Sequence, residues 1–105
     1  MRLLAYQLSL DLVRGLRTSF AIIRRHDARL ARQGIDAANS VVLNLNESTG
    51  RDGGDRAHLV RMALDSLREV GAVLDIAEAH GWLASVPMAA ERDRLGGLLY
   101  GLQRR

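Results

Sequence analysis

The 105-residue sequence contains neither lysine nor cysteine; all 15 of its Lys/Arg positions are arginine. Without lysine there is no Schiff-base amine, no Ser–Lys pair and no phosphate-loop lysine. Without cysteine there is no disulfide, thiolate nucleophile or zinc–thiolate site, which fits a reducing cytoplasm. Aromatic residues make up only 4% and proline occurs once. A chain that is nevertheless 48% hydrophobic must build its core from Leu, Val, Ile and Ala. That composition favours packed helices over a sandwich or barrel. No apolar run approaches the roughly 18 residues that a membrane span requires. The opening "MRLLAYQLSLDLVRG" starts like a signal peptide but meets Asp11 and Arg14 before a cleavage site could form. It reads as the first helix of a soluble, cytoplasmic protein.

What is present suffices for one domain, residues 1–105, with one modest core. Its net charge of +3 is unevenly distributed. Residues 1–32 hold seven Arg against two Asp, a balance of +5, whereas residues 33–105 hold eight Arg against ten acids, a balance of −2.

Four segments carry helical period. The first is expected from about Leu3 to Arg32, ended by Gly34. Leu8, Leu12, Leu16, Phe20, Ile22, Ile23 and Leu30 share one face, and Arg14, Arg17, Arg24, Arg25, Arg29 and Arg32 an opposite arc of about 140°. The second, "IDAANSVVLNLNEST", aligns Ile35, Ala38, Val41, Val42 and Leu45. Gly50, Gly53 and Gly54 break it, and Asp55 offers an N-cap for a third segment reaching His80. Leu59, Met62, Ala63, Val70, Val73, Leu74 and Ala77 form the third stripe, stopped by Gly81. Ser85–Pro87 starts the fourth, whose inner face is Met88, Leu95, Leu98, Leu99 and Leu102. Gly96, Gly97 and Gly101 weaken that helix and offer close approach to a neighbour. Four amphipathic helices with short breakers and no strand pattern predict an all-α, antiparallel up-down four-helix bundle.

The glycine-rich stretch "NLNESTGRDGGD" invites chemical readings. As a phosphate loop it lacks the Lys-Ser/Thr ending and follows a helix rather than a strand. As a calcium loop it lacks a third acidic ligand and a closing Glu beside Asp52 and Asp55. Asn46-Glu47-Ser48 matches a glycosylation triplet, but no secretory signal accompanies it. A hinge between helices is the reading that remains. Just before it, Ser40, Asn44 and Glu47 fall on one edge of the second segment's apolar face. Ser66 falls on the third segment's stripe and Glu69 at its border. Half-buried polar groups need partners, so a hydrogen-bonded network between helices, or a ligand site, is expected there.

The same residues carry a family resemblance. "DAANSVVLNLNESTGR" resembles the "RAAxSIxxNIAEGxGR" signature of the four-helix-bundle family of 23S rRNA intervening-sequence proteins, and "AHLVRMALDSLREVGAVLDIA" resembles that family's following helix. The likeness places the family's recurrent positions on Ser40, Asn44, Glu47, Gly50, Arg51, Ser66, Leu67 and Glu69. Asp36, Asn39 and Ser48 depart from it, standing where a basic residue, an apolar residue and glycine are usual. The resemblance implies a small helical protein assembled as a homopentamer, without enzymatic activity or cofactor. The family is similar to the accessory protein of diversity-generating retroelements, which binds RNA and a reverse transcriptase through a basic surface.

Two functional expectations follow. In the first, the arginine face (Arg14, Arg17, Arg24, Arg25, Arg29 and Arg32) holds RNA phosphates by bidentate forks. Tyr6, Phe20, Trp82 and Tyr100 are not interleaved with that stripe, so base stacking is not indicated. In the second, the same arginines pair with Asp65, Glu69, Asp75 or Glu78 of a neighbouring copy in a structural oligomer. For an enzyme the sequence offers little: His26, His58 and His80 are far apart, none is in a Glu-x-x-His spacing, and no nucleophile has a readable base. No metal site is expected.

Overall fold

The apolar stripes assemble four helices: α1 (Arg2–His26), α2 (Ala28–Ser48), α3 (Gly53–Ala79) and α4 (Ala89–Gln103). They are seen in a computed structural model that describes residues 2–104, and over those residues the protein is all-helical. Residues across each helix pair run in opposite senses. Phe20 lies against Gly34, and Val13 shares a groove with Asn39. Ser40 meets Ser66 and Gly34 approaches Val73, while Leu67 lies beside Gly96 and Gly71 beside Arg92. The helices therefore alternate up and down, and α1 also packs on α4. The longest dimension, 42 Å, is set by α3, whose 27 residues span about 40 Å at about 1.5 Å each.

The core lies along the common axis. Leu12, Leu16, Phe20 and Ile23 from α1 meet Leu30, Val41 and Leu45 from α2, Val60, Leu67, Val70 and Leu74 from α3, and Leu95, Leu99 and Leu102 from α4. Aliphatic side chains of this kind contribute roughly 1.5–3 kcal/mol each when buried. Two serines share that interior, Ser9 and Ser48. Each hydroxyl donates to a carbonyl of its own helix, Ser9 to Tyr6 at 2.6 Å and Ser48 to Leu45 at 2.7 Å, so neither is a costly orphan.

The helix boundaries differ from the expected ones in physically instructive ways. The first segment does not run to Arg32. Asp27 leaves the helical region (φ −152°, ψ 96°), and its carboxylate accepts the Leu30 N–H at 3.0 Å, so it ends α1 and caps α2 in one residue. Gly34 is not a terminator but a buried mid-helix contact. A Cβ there would lie 2.5 Å from Phe20 Cε1, so only glycine lets α2 come this close to α1. Asp52, not Asp55, occupies the N-cap position of α3, and Asp55 sits in its first turn, where a negative charge suits the helix dipole. Met62 faces solvent rather than the core, because the α3 stripe runs through Val60, Leu64, Leu67 and Gly71. In α4, Gly97 and Gly101 face open space and Gly96 makes an ordinary contact with Leu67, so within the chain these glycines bring no backbone close.

At the far end of α3 the stop signal behaves as expected. Gly81 adopts φ +79°, its N–H reaches Glu78 O at 2.9 Å, and the Trp82 N–H reaches Ala77 O at 3.0 Å. This is a Schellman termination, in which the left-handed residue lets the next two amides close on the last turn. It fixes Trp82 tightly beneath the end of α3.

Candidate nucleic-acid interface

Helical geometry collects the arginines on the outside. On α1, Arg14, Arg17, Arg24 and Arg25 lie within an arc of about 100° opposite Leu12, Leu16 and Ile23. Arg29 and Arg32 belong to α2 instead, opposite its buried stripe, so the six arginines are divided between two helices rather than confined to the first. All six side chains are exposed. Arg14 bonds Asp11 at 3.0 Å and Arg32 stands 3.8 Å from Asp36, both within one helix and in solvent. Arg17, Arg24, Arg25 and Arg29 form no ion pair among the described residues, so their donors are free for an anion. The triplet Arg24, Arg25, His26 closes the last turn of α1, where positive charge complements the helix dipole.

Between these arginines runs an apolar groove of about 360 Å³. Val13, Phe20 and Ala21 of α1 and Ile35 and Ala38 of α2 line it, with Arg17 and Arg24 at its rim. Further along the same seam Leu10, Val42 and Leu43 continue the apolar lining, and Leu43 is 66% exposed. On α3, Met62 and Ile76 are exposed as well.

The polar edge divides into two parts. Ser40, Asn44 and Ser66 come together: the Asn44 amide donates to Ser40 Oγ and to Ser40 O, each at 2.9 Å, and Ser66 Oγ donates to Ser40 Oγ at 2.9 Å. This network ties α2 to α3 at their most extensive interface. Glu47, Gly50, Arg51 and Glu69 do not join it. Glu47 and Arg51 pair across one helical turn at 3.4 Å, exposed, where α2 gives way to the hinge. There they share a small depression with Asp55 and His58. Gly50 and Glu69 are exposed, and Leu67 is core. The hinge proper is Thr49–Asp52, held by the Thr49 hydroxyl on Asn46 O at 2.7 Å and the Gly50 N–H on Glu47 O at 3.2 Å.

The histidines are less scattered than their sequence positions suggest. Antiparallel packing brings the C-termini of α1 and α3 to the same end of the molecule, and both His26 and His80 stack on Trp82. The His26 and Trp82 rings are 5.0 Å apart and 3° from parallel; those of His80 and Trp82 are 4.4 Å apart and 9° from parallel. An aromatic cluster thus stands at the end of α1, whose last turn also carries Arg24 and Arg25, although the sequence positions of the aromatics do not indicate base stacking. The available signal was topological: an up-down arrangement places residue 26 near residue 82, and a Gly-terminated helix commonly packs the residue after the glycine.

Another depression, about 560 Å³ between α3 and α4, sets Arg68 and Arg92 against Asp75 and Asp93. Its charges balance, and Arg92 Nε already donates to Pro87 O at 3.4 Å. Among the described residues no group of three His, Cys, Asp or Glu side chains is placed to hold a metal ion, and no helix is long and apolar enough to cross a membrane. No family model, curated protein or solved structure matches the chain.

Proposed function

We propose that this protein is a non-catalytic four-helix bundle that self-associates and binds RNA through the arginine face of α1 and the start of α2. The observation that carries the reading is the free state of four guanidinium groups: Arg17, Arg24, Arg25 and Arg29 are exposed and without ion-pair partners among the described residues. Phosphodiesters are the abundant ligand whose geometry matches that fork. The homopentamer implied by likeness to the intervening-sequence family would repeat the face five times around a ring and multiply its field. The Ser40–Asn44–Ser66 network supports a bundle held in one helix register, consistent with a scaffold role for the family's polar positions.

The test is light scattering and gel shift of the purified protein with and without total cellular RNA, repeated on Arg14→Glu/Arg17→Glu/Arg24→Glu/Arg25→Glu. The expected outcome is an RNA-dependent mass increase in the wild type that the variant loses while keeping its helicity. RNA retention unchanged in the variant would remove the basic face from the account.

A second reading, a structural oligomer without nucleic acid, is favoured by the apolar groove between α1 and α2 and by exposed Leu43, Met62 and Ile76. In it the groove's Arg17 and Arg24 meet Asp65 and Glu69 on α3 of the next copy, a head-to-tail contact of the kind that closes rings. Salt separates the two readings. Rising ionic strength that dissociates the oligomer favours this one; loss of RNA from an intact oligomer favours the first.

A further inference from the structure

We infer that the ring cluster His26, Trp82 and His80 is a stacking site for a nucleobase of single-stranded RNA. The base lies on the exposed imidazole of His26, and its flanking phosphates are held by Arg25 and Arg29. This inference rests on the RNA-binding reading above and adds where, and by what contact, a base is held.

Preorganisation is the first argument. Trp82 is fixed by the Schellman closure of α3, and His26 is the last residue of α1, followed at once by the capped turn that Asp27 begins. Both imidazoles lie within 9° of the indole plane, so a flat aromatic surface exists before any ligand arrives. A base added to it orders few additional side chains, which keeps the entropic cost of binding low. His26 and His80 are exposed while Trp82 is half-buried, so the imidazoles are the rings a ligand reaches.

Charge is the second argument, and it chooses between the two histidines. Within three residues of His26 along the chain come Arg24, Arg25 and Arg29, with Asp27 as the one acid, and a carboxylate oxygen of Asp27 is engaged by the Leu30 N–H. Around His80, α3 ends in Asp75 and Glu78. The chain beside His26 is the more basic of the two, so a phosphodiester favours that side. Stacking on a side chain requires an unpaired base, and the π-face of any base suits it, so the ligand class is single-stranded and sequence-tolerant.

Trp82 is the only tryptophan, so its fluorescence reports on the site directly. The probes are a short oligoadenylate and an abasic ribose-phosphate oligomer of equal length and charge. The expected result is binding of oligoadenylate about ten-fold tighter than the abasic oligomer, within the range of one stacked base. Trp82 emission should change with the adenylate alone. His26→Ala, checked for retained helicity, should reduce adenylate affinity to the abasic level, and His26→Phe should restore the difference. Equal binding of both oligomers with unaltered Trp82 emission overturns the stacking site while leaving the RNA reading intact. Equal weakening of both oligomers by His26→Ala also overturns it, since the imidazole would then act only as a charge. Binding of neither oligomer overturns the RNA reading and the site together. Should His26→Ala fail to fold, the comparison of the two oligomers on the wild type still decides.

Discussion

Ser40 Oγ accepts from two donors at once, the Asn44 amide and the Ser66 hydroxyl, each at 2.9 Å. Ser40→Ala strips the half-buried Ser66 of its acceptor, whereas Asn44 keeps its second bond to Ser40 O. The expected loss is about 1 kcal/mol, read from urea denaturation with unchanged slope. An unmoved midpoint would mean that the network contributes nothing to stability. Gly34 presents the opposite case, a residue whose importance is its missing side chain. Alanine gains up to about 1 kcal/mol of helix propensity, but its Cβ would sit 2.5 Å from Phe20 Cε1 and 3.0 Å from Val73 Cγ1. Overpacking of a buried aromatic contact costs about 1–3 kcal/mol, so Gly34→Ala should lower Tm. A raised Tm would show that Phe20 swings aside freely.

Among the elements, α4 has the weakest intrinsic support: it is 15 residues long and contains Gly96, Gly97 and Gly101. A Cβ at Gly97 or Gly101 would meet nothing within 4 Å, so neither glycine serves packing within the chain. Gly97→Ala with Gly101→Ala should therefore stabilise by about 1–2 kcal/mol in total, seen as a Tm increase of several degrees. A decrease would place these positions against a second copy, where the added methyls collide. The same element scale explains what could be read in advance. All four helices are legible by period, only the boundary between the first two being displaced, and the Gly81 stop is visible because a left-handed residue there is a strong local signal. The break at Asp27 was not, since no glycine or proline marks it. Only the side-chain bond to Leu30 distinguishes Asp27 from any other polar residue on a long amphipathic helix, and that bond exists once the chain has turned. Ser40, Asn44 and Ser66 were legible as a network because helical spacing puts two of them on one edge and the third opposite. Met62 was misplaced for want of a register that only packing against α2 and α4 supplies. The meeting of His26 with Trp82 depends on tertiary topology, and no local pattern encodes it.

For the molecule as a whole, charge is the property that reaches a partner first. The net +3 is modest, but Arg17, Arg24, Arg25 and Arg29 lie exposed and without ion pairs among the described residues on α1 and the start of α2, and local field rather than total charge governs encounter with a polyanion. Each phosphate engaged on a single strand should contribute about −0.7 to the slope of log affinity against log salt. Four free guanidinium groups therefore predict a slope near −3, and reversing Arg17 and Arg24 to Glu should flatten it by at least half. A slope indifferent to those two reversals would relocate the contact elsewhere. The two junctions that join the helical pairs differ in kind. Asp27 turns the chain in one residue with every bond committed, while Thr49–Asp52 is an exposed strap leading to Gly53 and Gly54, whose surroundings are empty. Severing or grafting at the strap leaves both hairpins whole and the broad α2–α3 seam free to rejoin them, so the place that looked most like a loop for chemistry is the one where this protein best tolerates being interrupted.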